Sequence, residues 1–171
     1  MKKFPFLLLD AGPIIKLFEL GIWDEFIKRC DVTISQTVAD QAKYANLEFE
    51  DIRIDLEPYK QLIKIIDLEP SLVKTFYDKF SLSYKVDIHP GERETLAFLC
   101  NRTENWQLCS ADSAVFKILA LIGKAKQGVS LEELLSHIGL LQPLEWQYSK
   151  KFRETYTRLG QIDAIQGTGL V

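Results

Sequence analysis

The sequence predicts a three-layer α/β domain, with a mostly parallel central sheet, helices on both faces and further helices at the C-terminus. Short apolar or β-branched runs alternate along the chain with stretches whose apolar residues fall at helical spacing. The first run, residues 6–9, is continuously apolar, as expected of a strand covered on both faces. The chain has 171 residues, 47% hydrophobic and 26% charged, which suits one globular core.

The elements follow in order. The run at residues 6–9 stops at Asp10-Ala11-Gly12-Pro13, a strand end with Pro13 opening a helix. Trp23, Phe26, Ile27 and Cys30 mark a second helix after Gly21, and Val32-Thr33-Ile34 a second strand. Residues 36–47 read as a helix, 48–58 as an acidic stretch of no clear type, and 62–66 as a strand. Leu72, Val73, Phe76, Tyr77 and Phe80 mark a helical face, and 81–89 a loop or irregular strand. Pro90-Gly91 opens an apolar helix to about residue 102, residues 106–109 form a short strand, and Val115, Ile118, Leu119 and Ile122 mark the next helix. Ser130 and Glu133 form a capping box for a helix carrying Leu131, Leu134, Leu135 and Ile138. Pro143 opens a last helix through Leu144, Tyr148, Phe152, Tyr156 and Leu159, and the tail from Gly160 is expected to fray. This divides the chain into a main domain, 1–125, and a C-terminal helical extension, 126–171, packed on the same domain.

Composition narrows the function classes. A net charge of -3 supplies no global attraction for nucleic acid, so any such binding needs a local basic patch or metal ions. Cys30, Cys100 and Cys109 are an odd number without CxxC spacing and lie among apolar neighbours, which reads as reduced, buried cysteine. His89 and His137 make no HExxH and no Cys/His zinc pattern. The N-terminal apolar run is too short for a signal peptide and ends at Asp10, and no stretch has membrane-spanning length. The expectation is a soluble, cytoplasmic protein with no membrane partner.

In an open parallel sheet, ligands bind at the carboxyl ends of the strands. Asp10 directly follows the first strand and Asp112 the late one. Asp40 and Gln41 lie early in the helix after the second strand, and Glu92 and Glu94 in the first turn of the helix opened by Pro90-Gly91. Converging carboxylates repel unless one takes a proton or a hard divalent cation joins them. Singly, each has a blander reading: Asp10 a turn cap, Asp112 an N-cap, Glu92 and Glu94 partners of a helix dipole, Asp40 a solvated residue. Two aspartates at strand ends make the combination the stronger reading.

The segment Leu7-Leu8-Leu9-Asp10-Ala11-Gly12-Pro13-Ile14-Ile15-Lys16-Leu17 resembles the opening strand and helix of PIN-domain proteins. Ile34-Ser35-Gln36-Thr37-Val38-Ala39-Asp40-Gln41 resembles their second block. Gly91-Glu92-Arg93-Glu94-Thr95-Leu96-Ala97 resembles the Gly-Glu-x-Glu block of one subgroup, and Leu108-Cys109-Ser110-Ala111-Asp112 their late aspartate strand. The resemblance spans about residues 6–122 in the family's order.

The resemblance implies a metal-dependent ribonuclease that hydrolyses RNA phosphodiester bonds with Mg²⁺ or Mn²⁺ held by carboxylates. It makes Asp10, Glu94 and Asp112 the catalytic metal ligands, with Asp40 as a further metal-binding candidate and Ser110, Glu92 and Gln41 in support. It leaves open a toxin role with an antitoxin partner, and a homodimer. One position departs from the family pattern: Gln41 stands where the second block usually carries a glutamate. A weak or inactive PIN scaffold that binds RNA or a protein partner is therefore the alternative. Lys150, Lys151, Arg153 and Arg158 on the last helix, and Lys117, Lys124 and Lys126 near the late aspartate, are candidate phosphate contacts, although a solvated face is the simpler reading of the first set.

Other acidic α/β sites fit less well. A receiver domain wants adjacent acids after its first strand and a lysine after a late one, but Asp10 precedes Ala11-Gly12 and the turn at 110–112 holds no lysine. A haloacid-dehalogenase-type phosphatase needs Asp-x-Asp, but position 12 is glycine. Neither GxxxxGK[ST] nor GxGxxG occurs.

Overall fold

Strand β1 (Phe4–Leu9) runs through the centre of the protein, and its last three side chains set the layers. Leu7 and Leu9 point into one apolar core and Leu8 into another on the opposite face, and all three are fully buried. The computed structural model of the protein describes residues 2–47 and 50–171.

Asp10 accepts a hydrogen bond from the Ala11 N–H and starts α1 (Ala11–Glu19), which ends before Gly21 in the left-handed conformation. Helix α2 (Trp23–Arg29) leads directly into β2 (Cys30–Ser35), whose last residue caps α3 (Gln36–Gln41) through its hydroxyl. Next come the antiparallel pair β3 (Tyr44–Leu47) and β4 (Glu50–Arg53), then β5 (Lys64–Ile66). Helices α4 (Pro70–Tyr77), α5 (Leu82–Lys85) and α6 (Pro90–Cys100) precede β6 (Gln107–Cys109) and α7 (Ser113–Leu121). The chain closes with β7 (Gly128–Val129), α8 (Leu131–Ile138) and α9 (Lys150–Gln166).

The main sheet has five parallel strands in the order β5-β2-β1-β6-β7. The chain winds outward from β1 through β2 to β5, then returns to the other side of β1 with β6. The order therefore reverses between β1 and β6, and the carboxyl ends of those two strands flank the crevice. Helices α1, α2, α3 and α8 cover one face, and α4 to α7 cover the other. This is the predicted α/β class.

Several elements differ from expectation. The helix expected over 36–47 ends at Gln41, because Tyr44–Leu47 pairs with Glu50–Arg53 and Ile54 N–H bonds to the Lys43 carbonyl at 2.7 Å. Residues Glu48 and Phe49 of the acidic stretch lie outside the described residues. The loop expected at 81–89 contains α5. The last helix begins at Lys150, capped by Ser149, rather than at Pro143. Residues 126–171 contribute the edge strand β7 to the sheet and α8 to its core, so they are part of the main packing.

The tail expected to fray at Gly160 is held. Gly160 is a buried point where α9 crosses α7, and a Cβ there would collide with the Lys117 backbone. Beyond the helix, Ser81 N–H bonds to the Gly169 carbonyl at 2.8 Å and Val171 N–H to the Lys79 carbonyl at 2.9 Å. Gly160→Ala is expected to destabilise the fold by about 1–3 kcal/mol, because backbone rather than a flexible side chain must yield. Urea denaturation checks this, and an unchanged midpoint would mean that the helices have slack at the crossing.

Candidate functional site

Asp10 and Asp112 leave the carboxyl ends of the two strands flanking the crevice. Adjacent pairing of β1 and β6, extended by Asp10 N–H to the Cys109 carbonyl at 3.0 Å, fixes their separation. Ser110, fully buried, joins them: its hydroxyl donates to Asp10 Oδ2 at 2.8 Å and accepts from the Asp112 N–H at 3.0 Å. Asp112 also caps α7, accepting from the Ala114 N–H at 2.8 Å through Oδ1. Its other oxygen, Oδ2, lies 3.7 Å from His89 Nδ1.

Glu92 arrives from the first turn of α6. His89 and Glu92 form a capping box, in which the His89 N–H donates to Glu92 Oε2 at 2.9 Å. That bond aims the Glu92 carboxylate inward, with Oε1 3.2 Å from His89 Nδ1. Glu92 is only 7% exposed. Burial, then the charges of Asp10 and Asp112, push its carboxyl up to about 9. Burial likewise raises Asp10, against the lowering by its Ser110 and Ala11 hydrogen bonds. Ligand atoms of His89, Glu92 and Asp112 all lie within 4.8 Å of one another, a group that could hold a metal ion.

The remaining predicted site residues lie elsewhere. Glu94, expected among the ligands, is buried, but it accepts the Thr37 N–H at 3.2 Å through Oε2 and the Leu68 N–H at 3.1 Å through Oε1. It clamps the start of α3 to the segment after β5, because residues 92 and 94 are about 200° apart around a helix and point in different directions. Asp40 is exposed and accepts from Gln36 Nε2 at 3.1 Å. Gln41 reaches over Gly91, where a Cβ would collide with its side-chain oxygen, so the amide lies beside the helix turn that carries Glu92. Glu94→Ala is expected to cost about 1–3 kcal/mol for each stranded N–H while leaving metal affinity unchanged. Lost Mn²⁺ binding at unchanged stability would overturn the clamp.

His89 is a site residue that the sequence pattern does not reveal, because a lone histidine matches no zinc motif. Its signal is its position as N-cap of the helix that carries Glu92, three residues before it. Among the basic candidates, Arg153 is committed to Glu133 by two bonds of 2.6 and 2.7 Å, and Lys150 lies 3.7 Å from Glu154. Cys30 and Cys109 are buried free thiols, the first pushed up to about 12 by burial, which makes it inert. No described helix is long and apolar enough to cross a membrane.

The fold and site define an α/β protein with a doubly wound parallel sheet and a carboxylate cluster at the point where its strand order reverses. No protein-family model matches the chain, and no curated protein matches it.

Proposed function

We propose that the protein is a PIN-like, metal-dependent ribonuclease whose divalent cation is held by Asp10, Glu92 and Asp112, with His89 beside them. The supporting observation is the convergence of three carboxylates from three elements at the β1/β6 reversal, where burial, then the charges of Asp10 and Asp112, keep a proton on Glu92 at neutral pH. A hard cation fits this donor set, since it replaces that proton and relieves the repulsion. When bound, it supplies Lewis-acid stabilisation of the charge that develops on a scissile phosphate. Ser110 holds Asp10 in place, the capping box holds Glu92, and the α7 cap leaves Asp112 Oδ2 facing the cluster. An imidazole nitrogen among oxygens favours Mn²⁺ over Mg²⁺.

The test is calorimetric titration with Mn²⁺ and Mg²⁺, followed by incubation with single-stranded and structured RNA. Tighter Mn²⁺ binding and cleavage abolished by chelation are expected. Retained RNA binding without metal binding would select the scaffold reading, which the neutral Gln41 beside Gly91 favours. Gln41→Glu places a fourth carboxylate at this rim, and cleavage equal to wild type or up to about tenfold higher is expected from the added ligand charge. A sharp drop in rate would show that the amide itself has a role.

Toxin activity with an antitoxin partner, a cytoplasmic location and pairing of two copies remain part of this proposal as consequences of the PIN resemblance. Co-purification with a neighbouring gene product and the mass of the native particle test the partner and the pairing.

A further inference from the structure

A cavity of about 420 Å³ lies on the same rim of the sheet as the carboxylate cluster, separated from it by the first turn of α6. Its floor comes from Thr37 after β2 and Leu68 after β5, and its sides from α4 and α6. Glu92 and Arg93, adjacent on α6, serve the two compartments: Glu92 faces the carboxylates and Arg93 lines the cavity.

Arg93 is held there in an unusual state of commitment. Its Nε donates to the Ile88 carbonyl at 2.9 Å, and its guanidinium carbon sits 4.0 Å from the centre of the Tyr77 ring. Two carboxylates, Asp67 and Glu94, also line the cavity, but Glu94 is occupied by the Thr37 and Leu68 N–H groups, and among the described residues no salt bridge to Arg93 forms. A cation fixed over an aromatic ring, with N–H groups left over, is a platform on which a nucleobase stacks and which also attracts a phosphate. Beside the platform, Pro70 and Val73 of the same helix as Tyr77 add apolar lining of the kind that contacts a flat ring. The second cation of the cavity, Lys74, is already paired with Asp78.

We propose that this cavity binds one nucleobase of the RNA strand, next to the phosphate presented to the carboxylate cluster. The inference deepens the ribonuclease reading and rests on it for the identity of the ligand. Size, a stacking platform and a cation without a salt bridge come together one helical turn from a cluster that by itself repels phosphate. A nucleotide bridging the two compartments places its base in the cavity and its backbone across the first turn of α6. The cavity thus supplies strand affinity that the acidic cluster lacks, and favours single-stranded over paired RNA, whose bases are not free to enter.

The experiment is titration of the full-length protein, in chelator, with nucleoside 5′-monophosphates and separately with inorganic phosphate, followed by ligand-observed NMR. Wild type is expected to bind the nucleotides. Val73→Trp, which fills the cavity, and Arg93→Ala, which removes the platform, are each expected to weaken binding at least about tenfold, the scale of one base stack. Both variants should keep wild-type Mn²⁺ binding by calorimetry, which also shows that they are folded. Nucleotide binding without Mn²⁺ binding supports the cavity and removes the nuclease reading. Absence of nucleotide binding by wild type, binding that neither variant alters, or displacement by inorganic phosphate as effective as by nucleotide overturns the proposal.

Discussion

Asp10→Asn and Asp112→Asn are each expected to abolish Mn²⁺ binding and Mn²⁺-dependent RNA cleavage while the protein stays folded. Loss of a residue that only orients a metal ligand typically costs ten- to a hundredfold in affinity, so loss of a ligand charge should exceed about a hundredfold. The amide keeps the shape of the carboxylate and one oxygen. Asn at position 10 therefore still accepts the Ala11 N–H, and Asn at 112 still caps α7, which is why folding should survive. Ser110→Ala tests the next shell. It removes the 2.8 Å bond to Asp10 and leaves the Asp112 N–H without its acceptor, so a smaller loss of metal affinity, about tenfold or more, is expected with some loss of stability. Calorimetry with circular dichroism separates the effects. Cleavage that persists in both aspartate variants would remove the site assignment.

The second large effect is on pH. In the metal-free protein Glu92 holds its proton up to about pH 9, whereas in the unfolded chain it releases it near the ordinary glutamate value of 4.5. The folded state therefore binds more protons than the unfolded state between those values, so stability falls as pH rises through that window and levels off above it. Metal binding must displace the same proton. Mn²⁺ affinity is thus expected to rise about tenfold per pH unit toward pH 9, roughly a hundredfold between pH 6 and 8. Glu92→Gln carries no titrating proton, so it should flatten the stability profile and bind Mn²⁺ weakly at every pH. Thermal melts in chelator over this range, and Mn²⁺ titrations at three pH values, make the comparison. A stability profile in wild type as flat as in Glu92→Gln would mean that burial and the neighbouring carboxylates do not hold a proton on Glu92.

The α/β class was legible in the sequence because it depends on local pattern. A short run such as Leu7-Leu8-Leu9 with no polar face, ended at once by a turn, fits a strand covered on both sides, and Pro90 and the Ser130–Glu133 capping box mark where two helices start. The two strand-end aspartates were legible for the same reason, since each directly follows its run. The pairing of β3 with β4 was not legible, because a segment with acceptable helical pattern was turned into a strand by a partner several residues away. Gly160 misled for a related reason: a glycine that lets two helices touch looks, in isolation, like one that ends a helix.

The sequence by itself determined the layered fold, the strand-end placement of Asp10 and Asp112, and the presence of two glutamates in the first turn of α6. Only the tertiary structure decided which glutamate joins the aspartates. Residues 92 and 94 differ by 200° of helical rotation, and that rotation is set by how α6 packs against the sheet and α3, which no local pattern encodes. The same packing turned Glu94 into a backbone clamp, brought His89 to the cluster and set Gln41 over Gly91. Sequence spacing gives the residues their order along an element, while the contact between elements gives them their direction.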